Sequence, residues 1–186
     1  YFVLGFNLKA VMVHAVPYAI KMEIPDTTAA NILAIIGGTS LVSRLMMGSA
    51  GDRIGSKLAF FISYVLMAGS LFWVVVAKEV WTFYLFAAVF GFAYGSVTPL
   101  WSMVVAELFG LKAHGILLAV AGLGYATGGV IGPVLAADLR EVTQSYQGYQ
   151  IAFLVCAALA VIAFLLALFL RPIVRKGEAS CLEKGG

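Results

Sequence analysis

Six apolar runs, each long enough to cross a bilayer, decide what this chain can fold into. They cover about residues 1–22, 27–50, 58–77, 81–106, 116–137 and 149–170, and one span needs roughly 20 apolar residues. None shows the period-two alternation of a membrane barrel strand. In hydrocarbon every backbone N–H and C=O must be satisfied within the protein, so the runs are read as helices. The expected fold is an all-α membrane protein, a six-transmembrane-helix bundle over residues 1–172. A cytoplasmic, disordered tail is expected over residues 173–186, where Gly, Ser and charge dominate. Composition excludes a water-soluble globular enzyme: 62% of the residues are hydrophobic and 11% charged, against about half and a quarter in soluble domains.

Charge placement orients the bundle. The first, third and fifth links carry Lys21, Lys78 and Arg140, which is three basic residues. The other side receives Arg53, Lys57, Lys112, Arg171, Arg175, Lys176 and Lys184, which is seven. By the positive-inside rule the second side is cytoplasmic, and both ends of the chain fall there, as an even helix count requires. A net charge of +3 is too small an excess for a nucleic-acid partner. Cys156 lies in an apolar run and Cys181 in the polar tail, so neither a disulfide nor a metal spacing is expected. The chain starts at Tyr1, already inside an apolar run, and reads as a segment of a longer protein.

Membrane enzymes fare poorly on the residues present. Asp52, Glu107 and Asp138 all sit at the ends of apolar runs, so the two deep carboxylates of an intramembrane aspartyl protease are missing. A zinc protease needs His-Glu-x-x-His, and paired haem ligands need two histidines at depth. His14 is in a span, but His114 is in a link. The expectation is a protein that is not an enzyme and carries no cofactor or metal.

The most specific string is Gly48-Ser49-Ala50-Gly51-Asp52-Arg53-Ile54-Gly55-Ser56-Lys57. Gly48, Gly51 and Gly55 let two helix ends approach and turn sharply. Asp52 suits a helix terminus, and Arg53 and Lys57 suit the headgroup zone. Such a string reads as a latch that holds one conformation and releases in another. It resembles the Gly-x-x-x-Asp-Arg-x-Gly-x-Lys loop signature of the major facilitator superfamily, which links the second and third helices of each six-helix half. The strings Ser43-Arg44-Leu45-Met46-Met47, Phe90-Gly91-Phe92-Ala93-Tyr94-Gly95, Gly128-Gly129-Val130-Ile131-Gly132-Pro133 and Gln144-Ser145-Tyr146-Gln147 narrow the likeness. Together they look like the C-terminal half of a monocarboxylate or oxalate/formate-type transporter, over nearly the whole chain up to Pro172. Two features depart from that pattern. Ser40 stands where mammalian-type members carry an acid, and the fifth run has no basic residue.

The candidate substrate-binding residues follow from polar groups at depth. Arg44 sits about 9 Å inside the second span at 1.5 Å per residue. A guanidinium there costs roughly 2.5–3.5 kcal/mol and normally faces a cavity or a partner. Gly37, Ser40, Arg44 and Gly48 share a face, leaving room for a carboxylate that arginine grips with two prongs. The alternative for Arg44 is a role in the latch or at the headgroups. Asn7, His14 and Tyr18 share a face of the first helix, for substrate or for an interhelical hydrogen bond. Tyr94, Thr98 and Trp101 line the fourth helix, of which Tyr94 and Trp101 are candidate contacts, and Tyr125 is the one large polar side chain of the glycine-rich fifth.

The resemblance implies transmembrane secondary transport of a small organic anion of monocarboxylate type, by alternating access. The partners implied are that anion, the lipid bilayer and a missing N-terminal six-helix half. The expected location is a bacterial-type inner (plasma) membrane. The alternatives are a truncated fragment without transport, a half that needs a separate partner half, and a family member carrying a different small solute.

Overall fold

The computed structural model describes residues 1–77, 79–110, 113–143 and 146–168. Six helices follow one another: α1 (Phe2–Lys21), α2 (Asp26–Ile54), α3 (Ser56–Val76), α4 (Val80–Phe109), α5 (His114–Thr143) and α6 (Tyr146–Leu168). Each contains a stretch long and apolar enough to cross a membrane. No strand occurs among the described residues. Lys78, Lys112 and the tail with Cys181 lie outside the described residues, as do the side chains of Asp52 and Arg140.

Helix ends differ from the sequence expectation in ways with local causes. The second helix does not stop near residue 50 but runs through the motif to Ile54. The string therefore forms the last turns of α2, a one-residue break at Gly55 and the first turn of α3, rather than a loop. Gly55 makes the break with φ +89° and ψ 133°, a conformation that a Cβ strains by about 1–3 kcal/mol. Gly55→Ala is thus expected to lower the melting temperature of the solubilised protein. An unchanged melting curve would show that α2 and α3 can join without that backbone. Asp26 is the first residue of α2, with Pro25 as the N-cap and no side-chain cap. The fourth helix opens with a box in which Glu79 and Thr82 satisfy each other's backbone N–H, and it closes at Gly110 with φ +75°.

Packing sorts the helices into two tight pairs. In the α2–α4 pair a Cβ on Gly91 would stand 2.6 Å from the Ile36 carbonyl oxygen, and one on Gly95 2.7 Å from Ser40 Cα. Only glycine allows backbones this close. Ser43 Oγ donates to Phe92 O at 2.6 Å and the Tyr84 hydroxyl to Thr28 O at 3.3 Å, so the pair is bonded along its length. In the α1–α5 pair a Cβ on Gly132 would stand 2.5 Å from Phe6 O, and one on Gly128 3.0 Å from Phe2 C. By contrast α4 and α5 meet only briefly. Helices α3 and α6 back the pairs, and Phe83, Phe86, Phe90, Met67, Leu71 and Phe153 fill the core between them.

Candidate functional site

Arg44 projects from α2 on the open side of the bundle and is exposed. Its guanidinium carbon lies 5.9 Å from the centre of the Tyr94 ring on α4, a cation–π distance. Above and below it on α2, a Cβ added to Gly37 or Gly48 would touch nothing within 4 Å. Ser40, one turn before Arg44, is buried instead and bonds to its own helix at Gly37 O, 2.8 Å away.

From Arg44 an aromatic track crosses to the other helix pair. The Tyr94 and Tyr125 hydroxyls lie 3.4 Å apart, joining α4 to α5. The Tyr1 ring sits 5.6 Å from Tyr125 and stacks on Trp101 at 5.0 Å, and Trp101 lies 6.0 Å from Phe60. Trp101 Nε1 is buried without a hydrogen-bond partner. Tyr94, Tyr125 and Trp101 thus belong to one run of half-buried aromatics, linked through Tyr1, that begins at the Arg44 guanidinium. Tyr1 belongs to it and was not among the sequence candidates. Its partners lie about a hundred positions away in the chain, and nothing local marks it.

The first-helix trio lies elsewhere. His14 is thirteen residues beyond Tyr1 on α1, roughly 20 Å along the axis at 1.5 Å per residue. Its Nε2 lies 3.1 Å from Pro133 O. A carbonyl only accepts, so this nitrogen carries the proton and the bond ties α1 to α5. Tyr18 is fully buried, its ring within 5.5–5.8 Å of Phe83, Tyr149 and Phe153. Asn7 is also fully buried, and neither polar atom of its side chain has a partner. The three share a face, as the spacing predicts, but that face points into the bundle and not toward Arg44.

At the motif, Gly51 presses on α4, where a Cβ would stand 2.9 Å from Leu100 Cδ2 and 3.1 Å from the Met103 sulfur. Arg53 is exposed and Lys57 half-buried. An apolar groove of about 570 Å³ opens between α2, α3 and α4, lined by Ile35, Thr39, Leu66 and Phe92 among others. With no charged residue in its wall, it offers nothing to hold a polar solute against lipid.

The sequence profile of the Major Facilitator Superfamily matches residues 1–185. Mouse monocarboxylate transporter 12 is 24% identical over 176 residues, which is 92% of this chain and 36% of that protein. Rat monocarboxylate transporter 13 is 29% identical over 136 residues, 72% of this chain and 32% of that protein. The multidrug resistance protein MdtG of Proteus mirabilis is 24% identical over 173 residues, 90% of this chain and 42% of that protein. The chain thus spans about a third of the length of the monocarboxylate transporters it matches. Six apolar helices and a profile match along nearly the full length agree: the chain is an integral membrane protein and belongs to the Major Facilitator Superfamily of transporters, with a likeness to its monocarboxylate carriers.

Proposed function

We propose that this chain is the C-terminal six-helix half of a secondary transporter that moves a small monocarboxylate-type anion by alternating access. The observation that carries the reading is Arg44, exposed and over the Tyr94 ring, on a helix where Gly37 and Gly48 are unobstructed. A relative named for multidrug resistance means that family membership alone selects no solute. The guanidinium over the Tyr94 ring selects an anion, because a cation would be repelled there and a neutral solute would leave the charge unpaired.

Arg44 grips the carboxylate, Tyr94 lies under the guanidinium with Tyr125 bonded to its hydroxyl, and Trp101 walls the cavity. Asn7, His14, Tyr18 and Ser40 lie within the bundle, where His14 ties α1 to α5 and Tyr18 packs the core behind the cavity. The Gly48–Lys57 string, with Gly51, Asp52, Arg53 and Gly55, serves as the latch of one conformation. The N-terminal half covers the open faces of α2 and α5, where Leu45 is 81% and Leu123 69% exposed. The basic side, with both ends of the chain, faces the cytoplasm of a bacterial-type inner membrane. Relatives well over twice as long as this chain support the existence of further spans beyond it.

The test is uptake by the full-length transporter in proteoliposomes, with labelled formate, lactate, pyruvate and oxalate. Saturable uptake of at least one, competed by the others, is expected. Uptake of neutral or cationic solutes with none of the carboxylates would sink the reading.

A further inference from the structure

Two facts about the bundle meet at Tyr94. The first is that α2–α4 and α1–α5 are separate pairs, each held at backbone contact by glycines and pinned by a side-chain bond, Ser43 to Phe92 O in one and His14 to Pro133 O in the other. Contacts of this kind do not deform gradually, so each pair moves as a unit. The second is that the anion site is split across the pairs: Arg44 and Tyr94 belong to one, Tyr125 and Tyr1 to the other. Where α4 meets α5, polar contacts among the described residues include Tyr94 to Tyr125 and, nearer the helix ends, Ser102 Oγ to His114 Nε2 at 3.2 Å.

We propose that the Tyr94–Tyr125 hydroxyl bridge is a positioning device for Arg44. It holds the Tyr94 ring beneath the guanidinium and ties the anion site to both helix pairs at once. The inference rests on the anion-site reading of Arg44. Tyr94 then acts chiefly through Arg44: its ring faces the cation, and its hydroxyl is occupied by Tyr125. At 3.4 Å the bridge is longer than the usual O–H···O distance of about 2.8 Å. The anion binds the open side of the guanidinium and leaves the bridge in place, so the bridge supports affinity without touching the ligand.

A double-mutant cycle in the full-length transporter tests this, with binding affinity read for formate, lactate, pyruvate and oxalate. Tyr94→Phe and Tyr125→Phe each remove one hydroxyl and no packing, so the fold is kept, which monodispersity and melting temperature verify. Each is expected to weaken binding of the preferred anion about 5-fold, the worth of one net hydrogen bond. The double variant loses no more than either single one, because both break the same bridge. Tyr94→Leu also removes the ring and costs about a further 3-fold. Additive losses would mean two independent substrate contacts and no bridge, and silent Phe variants overturn the proposal outright. If Arg44→Ala also leaves affinity unchanged, or no carboxylate binds the wild type, the anion-site reading fails and takes the bridge with it. If Arg44→Ala abolishes binding while the Phe variants are silent, the bridge alone falls.

Discussion

Carboxylate uptake is expected to fall at least about 100-fold when Arg44 is replaced by alanine, with the protein still folded and inserted. Two charge-assisted hydrogen bonds from one guanidinium are worth about 1.5–3 kcal/mol each, and tenfold in affinity corresponds to about 1.4 kcal/mol. Arg44→Lys keeps the charge but loses the fork, so an intermediate loss of about 10-fold is expected. Misfolding does not account for the loss. Arg44 is exposed, and the ring it contacts is the half-buried Tyr94. Removing a guanidinium at this depth even eases insertion, by roughly 2.5–3.5 kcal/mol. Proteoliposome uptake with a surface-expression control decides the matter. Uptake at wild-type rates in Arg44→Ala would remove the central residue of the site.

The second large effect concerns one substitution with opposite outcomes at two places on one helix. Gly→Ala in a helix normally stabilises by up to about 1 kcal/mol. At Gly122 the added methyl meets nothing within 4 Å, so Gly122→Ala is expected to be neutral or mildly stabilising. At Gly132 the methyl would stand 2.5 Å from Phe6 O and 3.1 Å from Phe6 Cα. Those are backbone atoms and cannot rotate away, so α1 and α5 must separate along a contact of several turns. Overpacking of this kind costs about 1–3 kcal/mol or more, and the displaced pair also strains the His14–Pro133 bond. Gly132→Ala should therefore lower the melting temperature sharply and reduce the monodisperse yield, in parallel with Gly122→Ala. Equal melting curves for the two variants would show that the α1–α5 contact is looser than described.

The aromatic track shows where reading from sequence stops. Tyr94 and Trp101 lie seven residues apart on one helix, so helical periodicity alone puts them on one face. That Tyr125 comes to Tyr94, and Tyr1 to Trp101, depends on how α5 and α1 cross α4, which no local pattern specifies. The first helix makes the same point from the other side. The spacing of Asn7, His14 and Tyr18 correctly groups them, yet an amphipathic argument cannot work in a helix that is apolar all round. Whether the face looks into a cavity or into the bundle has to come from the packing. Glycine carries a similar ambiguity. Gly37, Gly48 and Gly122 leave open space, whereas Gly91, Gly95 and Gly132 are pressed on a neighbouring backbone, and the letter is the same.

The sequence by itself determined the solvent and the number of spans, because each follows from counting along one helix. The bilayer permits few backbone solutions, and roughly 20 apolar residues select one of them. Tertiary structure alone decided which side chains meet. It placed the motif's glycines at the end of α2 instead of in a loop, divided six helices into two tight pairs, and brought Arg44, Tyr94 and Tyr125 to the seam between them. The reason is physical. Lipid tails are as apolar as the side chains, so hydrophobicity drives helices into the membrane but does not choose their neighbours. That choice falls to close backbone contact and to a few hydrogen bonds between residues far apart in the chain.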